Sequence, residues 1–379
     1  MLFLPSWYPS EEHPLAGIFI REHARAVALY ADVTVIFPVE SPQPGHQSSQ
    51  VSDIIEGALR TILIRYRPGW LDRLTGVRFG WYWHMFKWAL RLFRRGYRPD
   101  VIHAHVFKAA LPAVILGMLL KRPVVVTEHF TGYARGTLSA RDRYMARFAL
   151  NRAAIILTVS ASLWRDMEPY GIRNEHRVVP NVIDTERFQL RRSRGMSAGH
   201  VPKILFVAFL TPKKGLPVLL HALHELTGRN FHLDVIGDGP NRPEYEQLLE
   251  RLRLQERVSF LGAISREELP GHVEQCDFLV LPSSVETFGV VLIEALAAGK
   301  PVVASDIGGP DEIVTNEVGM LVPSGDVKAW SQAIDYMLDH YQDYAPEKLV
   351  AYARSRYTYE IVGRQIQQAY REVLDGRGS

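Results

Sequence analysis

The sequence predicts an α/β protein with two doubly wound, mostly parallel sheets that face one cleft. Short apolar runs typical of buried strands alternate with helical patterns along most of its 379 residues. A basic stretch over residues 189–200 breaks this alternation once, and the alternation then starts again. We therefore expect an N-terminal domain over 1–188, a linker over 189–200, a C-terminal domain over 201–345 and one or two further helices over 346–379.

In the first domain, Met1–Leu4 predicts a strand, and Gly17 ends the loop between it and a helix over 18–30. A glycine here allows the backbone to approach a phosphate, although a single glycine is more often only a turn. The other predicted elements are strands near 33–37, 61–66, 101–105, 123–129, 154–160 and 176–180, helices near 78–95, 108–120, 139–152 and 161–170, and a polar loop over 41–50.

The second domain shows the same alternation of strands and helices. Because ligands bind at the carboxyl ends of the strands in such sheets, we expect the active site in the cleft between the two domains. The predicted elements are strands near 203–209, 231–237, 257–262, 277–283, 301–305 and 319–323, and helices near 216–227, 243–253, 266–275, 287–298, 310–315 and 326–339.

The composition is that of a globular enzyme, with 47% apolar and 22% charged residues. The one cysteine, Cys276, excludes a disulfide framework, and no His-x-x-x-His or Cys-x-x-Cys pair falls on a predicted helix, so we predict no metal site. The longest apolar run, 109–120, is shorter than the roughly 20 residues that span a bilayer. The first residues lack the basic region of a signal peptide. We therefore expect a cytoplasmic protein, and attachment to a membrane surface stays open.

Residues 60–98 are strongly basic, with ten Lys or Arg against one acid, Asp72, and with several Trp and Phe residues among them. Basic and Trp side chains favour an anionic membrane surface, which would suit a lipid-linked acceptor. Against this interpretation, the aromatic residues surround the predicted helix, so some of them must belong to the core. Nothing beyond charge indicates nucleic acid, and we predict no nucleic-acid partner.

The stretch Pro282–Ser305 predicts a strand end, a polar loop, a helix, a tight turn and a further strand. Helix N-termini bind anions because their free N–H groups and the helix dipole act together. Two carboxylates, Glu286 and Glu294, accompany that N-terminus and could hold hydroxyl groups. Each could instead be a solvated glutamate, but Glu294 lies in an apolar run where a carboxylate needs a partner. A phosphate beside a polyol indicates a sugar nucleotide.

Several other residues are candidates by position. Lys214 lies between a strand and a helix, where it could reach a diphosphate as a point charge or remain a solvated loop lysine. His105 and His129 each fall at the C-terminal end of a predicted strand, where a histidine is as often structural as functional. The turn over 237–240 is interpreted as structural, whereas the glycines of 308–312 fit either a turn or close approach to a ligand.

Taken together, these motifs make the chain resemble a retaining GT-B glycosyltransferase of glycosyltransferase family 4, with two Rossmann-like domains. Each motif is weak alone, but their order and spacing are specific. They are PLAGIFIREHARAV, DVIHAH, VVVTEH, VSAS, VVPNVID, PKKG, VIGDGP, SFLG, ETFGVVLIE, AAGKPVVAS and GGPDEIV.

The resemblance implies retaining transfer of a sugar from a UDP- or GDP-sugar to a glycan, lipid-linked or small-molecule hydroxyl, with no metal and no cofactor. The leaving phosphate would accept the proton of the acceptor hydroxyl. The resemblance also implies a part in polysaccharide or glycolipid biosynthesis. The helices of 346–379 would cross back to the first domain, and the cleft would close on substrate.

The resemblance also implies residue roles. Glu286, His129 and Lys214 would act at the reacting sugar and diphosphate, and Glu294 would hold the ribose. The amides of Phe288, Gly289 and Val290 would face the sugar or its phosphates. On the acceptor side it suggests His105 and Arg21. The implied donor-binding set is Gly17, Lys214, Glu286, Thr287, Phe288, Gly289, Val290 and Glu294.

One position departs from the family pattern. Many relatives carry an arginine five residues before the lysine, where this chain has Phe209, and Lys213 could substitute for it. Two alternatives stay open: a nucleotide-sugar epimerase of the same fold, and a non-catalytic nucleotide-sugar-binding partner subunit, which Phe209 would support. The sequence does not specify the base, the sugar or the acceptor.

Overall fold

A computed structural model describes residues 1–40, 50–70, 72, 78–190 and 199–376. Most of the polar loop predicted over 41–50, most of the linker predicted over 189–200 and part of the basic segment 60–98 lie outside these residues. The chain divides into two compact units. Unit 1 is Met1–Val159, Leu163–Val182 and Tyr359–Ser379, and unit 2 is Ser160–Ser162 and Ile183–Thr358.

Unit 1 is built on an eight-stranded sheet in the order β3-β4-β2-β1-β5-β6-β7-β8, of which the β3–β4 pair is antiparallel and the rest parallel. Its strands are β1 Leu2–Pro5, β2 Val33–Glu40, β3 Gln50–Glu56, β4 Leu59–Tyr66, β5 Ile102–His105, β6 Val124–Glu128, β7 Ile155–Thr158 and β8 His176–Val178. The helices within residues 1–182 are α1 Ile18–Ala28, α2 Phe79–Arg94, α3 Phe107–Leu120, α4 Ala140–Leu150 and α5 Ala161–Met167.

Unit 2 is built on a six-stranded parallel sheet in the order β11-β10-β9-β12-β13-β14. Its strands are β9 Lys203–Val207, β10 His232–Ile236, β11 Val258–Gly262, β12 Phe278–Leu281, β13 Val302–Ser305 and β14 Gly319–Val322. Its helices are α6 Leu216–Glu225, α7 Arg242–Arg251, α8 Leu269–Gln275, α9 Val290–Ala297, α10 Val327–His340 and α11 Pro346–Tyr357. The last helix of the chain, α12 Tyr359–Asp375, belongs to unit 1.

Each unit has its own apolar core, because both strand runs and helix faces present buried side chains to it. In unit 1, α12 contributes Val362, Ile366 and Ala369, whose three- to four-residue spacing forms one helical face. Burying one such aliphatic side chain as large as Val or Ile stabilises a fold by roughly 1.5–3 kcal/mol. The apolar face of α12 therefore accounts for its packing on α1.

The predicted α/β fold with two doubly wound sheets is confirmed, and the differences are local. The antiparallel strand β3 was not predicted, since its side chains are nearly all exposed and carry no buried alternation. The helix expected over 287–298 begins at Val290, and the one expected over 310–315 is a single 3-10 turn, Pro310–Glu312.

The two terminal helices differ in where they pack. From the sequence, all of 346–379 is expected to return to the first domain, but α11 stays in unit 2. Its buried residues Leu349, Ala353 and Tyr357 face that unit, where the helix contacts α9. The chain therefore passes from unit 2 to unit 1 at Thr358 and not at 346.

Within the residues that the structure describes, none of the helices combines the length and apolar character that crossing a membrane requires.

Candidate active site

Two loops of unit 2 follow neighbouring parallel strands and are tied together. The 3-10 turn Pro212–Lys214 follows β9, and the loop before α9 follows β12. The Ser284 backbone N–H donates to the Lys213 carbonyl at 2.8 Å. Gly215 has φ 73°, and a Cβ there would lie 1.8 Å from the Pro282 carbonyl oxygen. The two loops are therefore in backbone contact at the carboxyl ends of the strands, and only glycine allows this contact.

The contact brings together Lys214 and Glu286, two residues that are 72 positions apart. The Lys214 Nζ lies 2.5 Å from a Glu286 carboxylate oxygen, and the side chains are only 18% and 12% exposed. The other carboxylate oxygen accepts the Thr287 N–H at 3.2 Å. Burial by itself would raise the pKa of Glu286, but the Lys214 ammonium group, Lys213 and the Thr287 N–H outweigh it and lower that pKa. Glu286 is therefore an ionised carboxylate held by a cation.

The N-terminus of α9 lies three residues beyond this pair. Gly289 precedes the helix with φ 95°, a conformation that favours glycine. The first N–H groups of a helix have no partner within it, so they are available to an acceptor. Val290, Val291 and Glu294 form the half-exposed face of α9, whereas the rest of the helix is buried. Glu294 thus shares one helix face with the N-terminal residues.

The residues between Glu286 and α9 are mostly engaged within unit 2. The Thr287 carbonyl accepts the Ser160 hydroxyl at 2.8 Å, and the Phe288 ring meets Tyr357 edge-on at 5.8 Å. Gly309 packs on the same backbone, since a Cβ there would lie 2.7 Å from the Phe288 nitrogen. Gly309 is therefore explained by backbone contact within unit 2.

Two further positions of unit 2 follow β9 and β10. Phe209, which stands where many relatives have arginine, is 65% exposed. The turn over 237–240 is tight: a Cβ at Gly237 would lie 1.8 Å from the Ala208 carbonyl oxygen. That close approach explains the glycine by contact within the chain.

In unit 1, Gly17 precedes α1 with φ 67°, and a Cβ there would lie 2.4 Å from the Trp7 carbonyl oxygen. The glycine is therefore required by contact with its own loop. Arg21, suggested for the acceptor side, is half-buried and ion-paired with Glu56 at 3.0 Å. This pairing fixes its guanidinium against β3.

His105 and His129 lie together at the ends of the adjacent strands β5 and β6. The His105 Nδ1 and the His129 Nε2 are hydrogen-bonded at 3.2 Å, and the ring of Phe19 packs on His129. Burial, together with neighbouring imidazoles, lowers the pKa of both histidines well below the ordinary value. Both rings are therefore neutral.

Sequence reasoning missed two residues beside this pair. His23 of α1 packs against both rings, at centroid distances of 5.8 and 5.4 Å. The buried Glu128 carboxylate accepts backbone N–H groups of Phe107, His129 and Phe130 at 2.9–3.0 Å. Burial raises the pKa of Glu128 to about 7, and these N–H groups oppose the rise. The signal for His23 was its position on the buried face of α1, one turn after Ile20; Glu128 sits at a strand end next to a helix N-terminus.

Comparisons with known proteins follow the same division of the chain. The family described as Glycosyltransferase Family 4 matches residues 16–187, and Glycosyl transferases group 1 matches residues 191–356. A glycogen synthase from Mycobacterium tuberculosis is 31% identical over 292 residues, which cover 74% of this chain and 69% of that protein. The chain belongs to glycosyltransferase family 4.

Other known proteins resemble this family 4 glycosyltransferase over a greater share of its length. An alpha-D-kanosaminyltransferase from Streptomyces kanamyceticus is 26% identical over 363 residues, 88% of this chain and 93% of that protein. The crystal structure of Anabaena HepE in complex with UDP and glucose has a TM-score of 0.76, 21% sequence identity and coverage of 98% and 99%. The GT-B fold is thereby confirmed, and neither alternative, the epimerase or the non-catalytic subunit, is favoured by these relatives.

Proposed function

We propose that this glycosyltransferase moves a sugar from a UDP- or GDP-sugar to an acceptor hydroxyl with retention of the anomeric configuration. The observation that carries this proposal is the Lys214–Glu286 ion pair, which lies just before the N-terminus of α9. A cation and free helix N–H groups suit the diphosphate, and carboxylates suit the hydroxyls of ribose and sugar.

The ion pair also meets an electrostatic requirement. A bare carboxylate would repel a diphosphate that carries negative charge nearby, and the repulsion grows where water is excluded. Lys214 offsets the Glu286 charge and offers its remaining N–H groups to the phosphates. In this assignment Glu294 binds the ribose, Glu286 the transferred sugar, and the Phe288, Gly289 and Val290 amides the link between them.

In the reaction, the bond between the anomeric carbon and the phosphate oxygen breaks, and a bond to the acceptor oxygen forms on the same face of the sugar. The departing phosphate oxygen takes the proton of the acceptor hydroxyl, so that the protein need not supply a paired base. Lys214 stabilises the charge that develops on the leaving diphosphate. In unit 1, His129 is assigned to the transferred sugar and Gly17 to the diphosphate. HepE bound to UDP and glucose supports a nucleotide-sugar donor, since it shares this fold.

The test is a panel of UDP- and GDP-sugars incubated with the purified chain, with release of free nucleotide as the readout. We expect slow release from one donor without acceptor, and faster release when an acceptor mixture is added. The anomeric configuration of the product, measured by proton NMR, is expected to match that of the donor. Inversion would contradict the retaining mechanism, and donor binding without turnover would favour the non-catalytic alternative.

For the acceptor, we propose a lipid-linked substrate at an anionic membrane surface. The side chains of α2 form two stripes on opposite faces. The buried stripe is Trp81, Met85, Ala89 and Leu92. The exposed stripe is Phe79, Trp83, Lys87, Arg91 and Arg94. Trp83 is 61% exposed, and the helix contains no acid. An exposed stripe with aromatic and cationic side chains fits a headgroup surface.

Vesicle co-sedimentation tests this surface. We expect sedimentation with phosphatidylglycerol vesicles but not with phosphatidylcholine vesicles, and weakening of about 100-fold when Lys87, Arg91 and Arg94 are changed to Glu, at about 1 kcal/mol per basic residue. A matched control changes the exposed residues Arg251, Lys328 and Arg354 of unit 2 to Glu, which alters net charge equally. Equal loss in both triple variants, or binding independent of anionic lipid, would exclude the surface.

A further inference from the structure

Three arginine side chains line a cavity of about 670 Å³ in unit 1, here called the arginine cavity. Arg143 and Arg147 lie four residues apart on α4 and therefore share one helix face, and Arg165 comes from the last turn of α5. Asp166 is the one acid among the described residues that line the cavity. The lining thus carries three positive charges against one negative charge, a surplus of two.

One wall of the arginine cavity is held by hydrogen bonds between separate elements. The Tyr170 hydroxyl donates to the Tyr133 carbonyl at 3.1 Å, and the two rings meet edge-on at a centroid distance of 5.3 Å. Asn151, the residue that ends α4, donates from its side-chain amide to the Gly171 carbonyl at 3.0 Å. The turn after α5 is therefore tied both to the loop after β6 and to the end of α4.

The same wall positions two of the guanidinium groups. The Arg143 guanidinium lies 5.7 Å from the centre of the Tyr170 ring, and its Nε donates to the Leu138 carbonyl at 3.1 Å. The Arg147 guanidinium packs on the backbone of Gly171, where a Cβ would lie 3.4 Å from its Nε. Both side chains are thus oriented by contacts that leave their terminal N–H groups available to a ligand.

The positive charges of the arginine cavity are not neutralised within the chain. Among the described residues, none of the three arginines forms an ion pair, either with Asp166 or with another carboxylate. Like charges four residues apart on a helix repel each other, and a bound anion offsets that repulsion. A guanidinium group matches the paired oxygens of a phosphate. A phosphate monoester carries about 1.5 to 2 negative charges near pH 7, which fits the surplus.

We propose that Arg143, Arg147 and Arg165 form a binding site for a phosphate monoester or a diphosphate group. A lipid headgroup or a soluble phosphate ester could carry it. Burial raises the pKa of Tyr82 in α2, and the charge of Arg141 in α4 opposes the rise, so the starts of these two helices interact electrostatically. The site therefore lies beside the helix proposed to meet an anionic membrane. It belongs to unit 1 and does not depend on the proposed reaction.

The test is calorimetry of the full chain with pyrophosphate. We expect Arg143→Gln/Arg147→Gln to weaken one equivalent by about 100-fold, at about tenfold for each charged contact. The matched control, Arg251→Gln/Arg354→Gln, removes two exposed arginines of unit 2 and should leave that equivalent unchanged. The same equivalent should remain in Lys214→Met, which separates this site from the diphosphate site proposed for unit 2.

Two further titrations distinguish the sources of the phosphate. Phosphatidylcholine vesicles that contain phosphatidic acid present a phosphate monoester on a membrane, and glycerol 3-phosphate presents it in solution. Weaker sedimentation of Arg143→Gln/Arg147→Gln than of the control with these vesicles would assign the site to a lipid headgroup. Loss of glycerol 3-phosphate binding with unchanged sedimentation would assign it to a soluble ester.

Hydrogen exchange of the wild type needs no variant. Pyrophosphate is expected to slow exchange in 133–147 and 165–171, and circular dichroism verifies that each variant folds. Absence of a bound equivalent, a folded Arg143→Gln/Arg147→Gln variant that binds pyrophosphate as the wild type does, or protection confined to unit 2 would each overturn the site.

Discussion

The two units present opposite kinds of polar group at the ends of their strands. Unit 2 holds an ionised pair, Lys214 and Glu286, that remains partly exposed. Unit 1 holds neutral imidazoles, among them His105 and His129, that are buried. A buried charge is tolerated only with a partner, whereas an imidazole avoids that cost by staying neutral. The comparison is consistent with the proposal that unit 2 binds phosphates and that unit 1 faces neutral hydroxyl groups at these strand ends.

The largest expected effect comes from removing the negative charge of Glu286 in unit 2. Glu286→Gln should lower kcat/KM by about 10²- to 10³-fold, as the loss of one preorganised electrostatic contact does. Glu317→Gln, an exposed glutamate of the same unit, is the control and should change little. Because the pKa of Glu286 is lowered, the wild type should keep its Glu286-dependent activity until the pH falls below the ordinary value of 4.5. Full activity of the Gln variant would remove the role assigned to this carboxylate.

The next effect tests whether the charged pair depends on the backbone contact below it. Gly215→Ala places a Cβ 1.8 Å from a backbone oxygen at φ 73° and should destabilise unit 2 by about 3 kcal/mol. Hydrogen exchange read by mass spectrometry reports on each unit separately. Gly271→Ala, in α8 with open space around it, should be neutral or stabilising. Faster exchange in unit 1 alone would contradict the assignment.

Unit 1 should respond to a change that leaves unit 2 intact. Glu128→Gln replaces one of the two carboxylate oxygens that together accept three backbone N–H groups, and should cost about 1–3 kcal/mol in the free energy of unfolding. Glu175→Gln, an exposed residue of the same unit, is the control. Chemical denaturation measures both, and equal stabilities would mean that Glu128 does not hold the start of α3.

The smallest expected effect comes from adding a positive charge to unit 2 at position 209. Phe209→Arg places a cation at the exposed position where many relatives have one, and should tighten binding of a nucleoside diphosphate by about 10-fold, the equivalent of roughly 1.4 kcal/mol. Phe209→Leu separates this gain from the loss of the aromatic ring. Calorimetry that finds no gain would indicate that Lys213 or the helix N–H groups already serve the diphosphate.

How much could be predicted from the sequence depends on the range of the interaction. The strand, loop and helix of Pro282–Ser305 are local, and apolar periodicity reveals them. The pairing of Lys214 with Glu286 follows only once β9 and β12 are known to be neighbours. Strand β3 exists through its pairing with β4 and has no buried face of its own.

The features that escaped prediction are long-range or depend on packing. His23 reaches His105 from 82 positions away, so no short spacing motif contains both. The transfer of the chain between units at Thr358 falls in RYTYE, which has no Pro or Gly to mark it. Only the packing faces of α11 and α12 distinguish the two helices.

We propose that unit 2 binds the nucleoside diphosphate through Lys214. Isothermal titration calorimetry of UDP and GDP with the wild type, Lys214→Met and His129→Gln tests it most directly. We expect one of the two nucleotides to bind the wild type. Lys214→Met should weaken that binding by about 10-fold or more, and His129→Gln should leave it within about twofold. Binding of neither nucleotide, or equal affinity in the folded Lys214→Met variant, would contradict it.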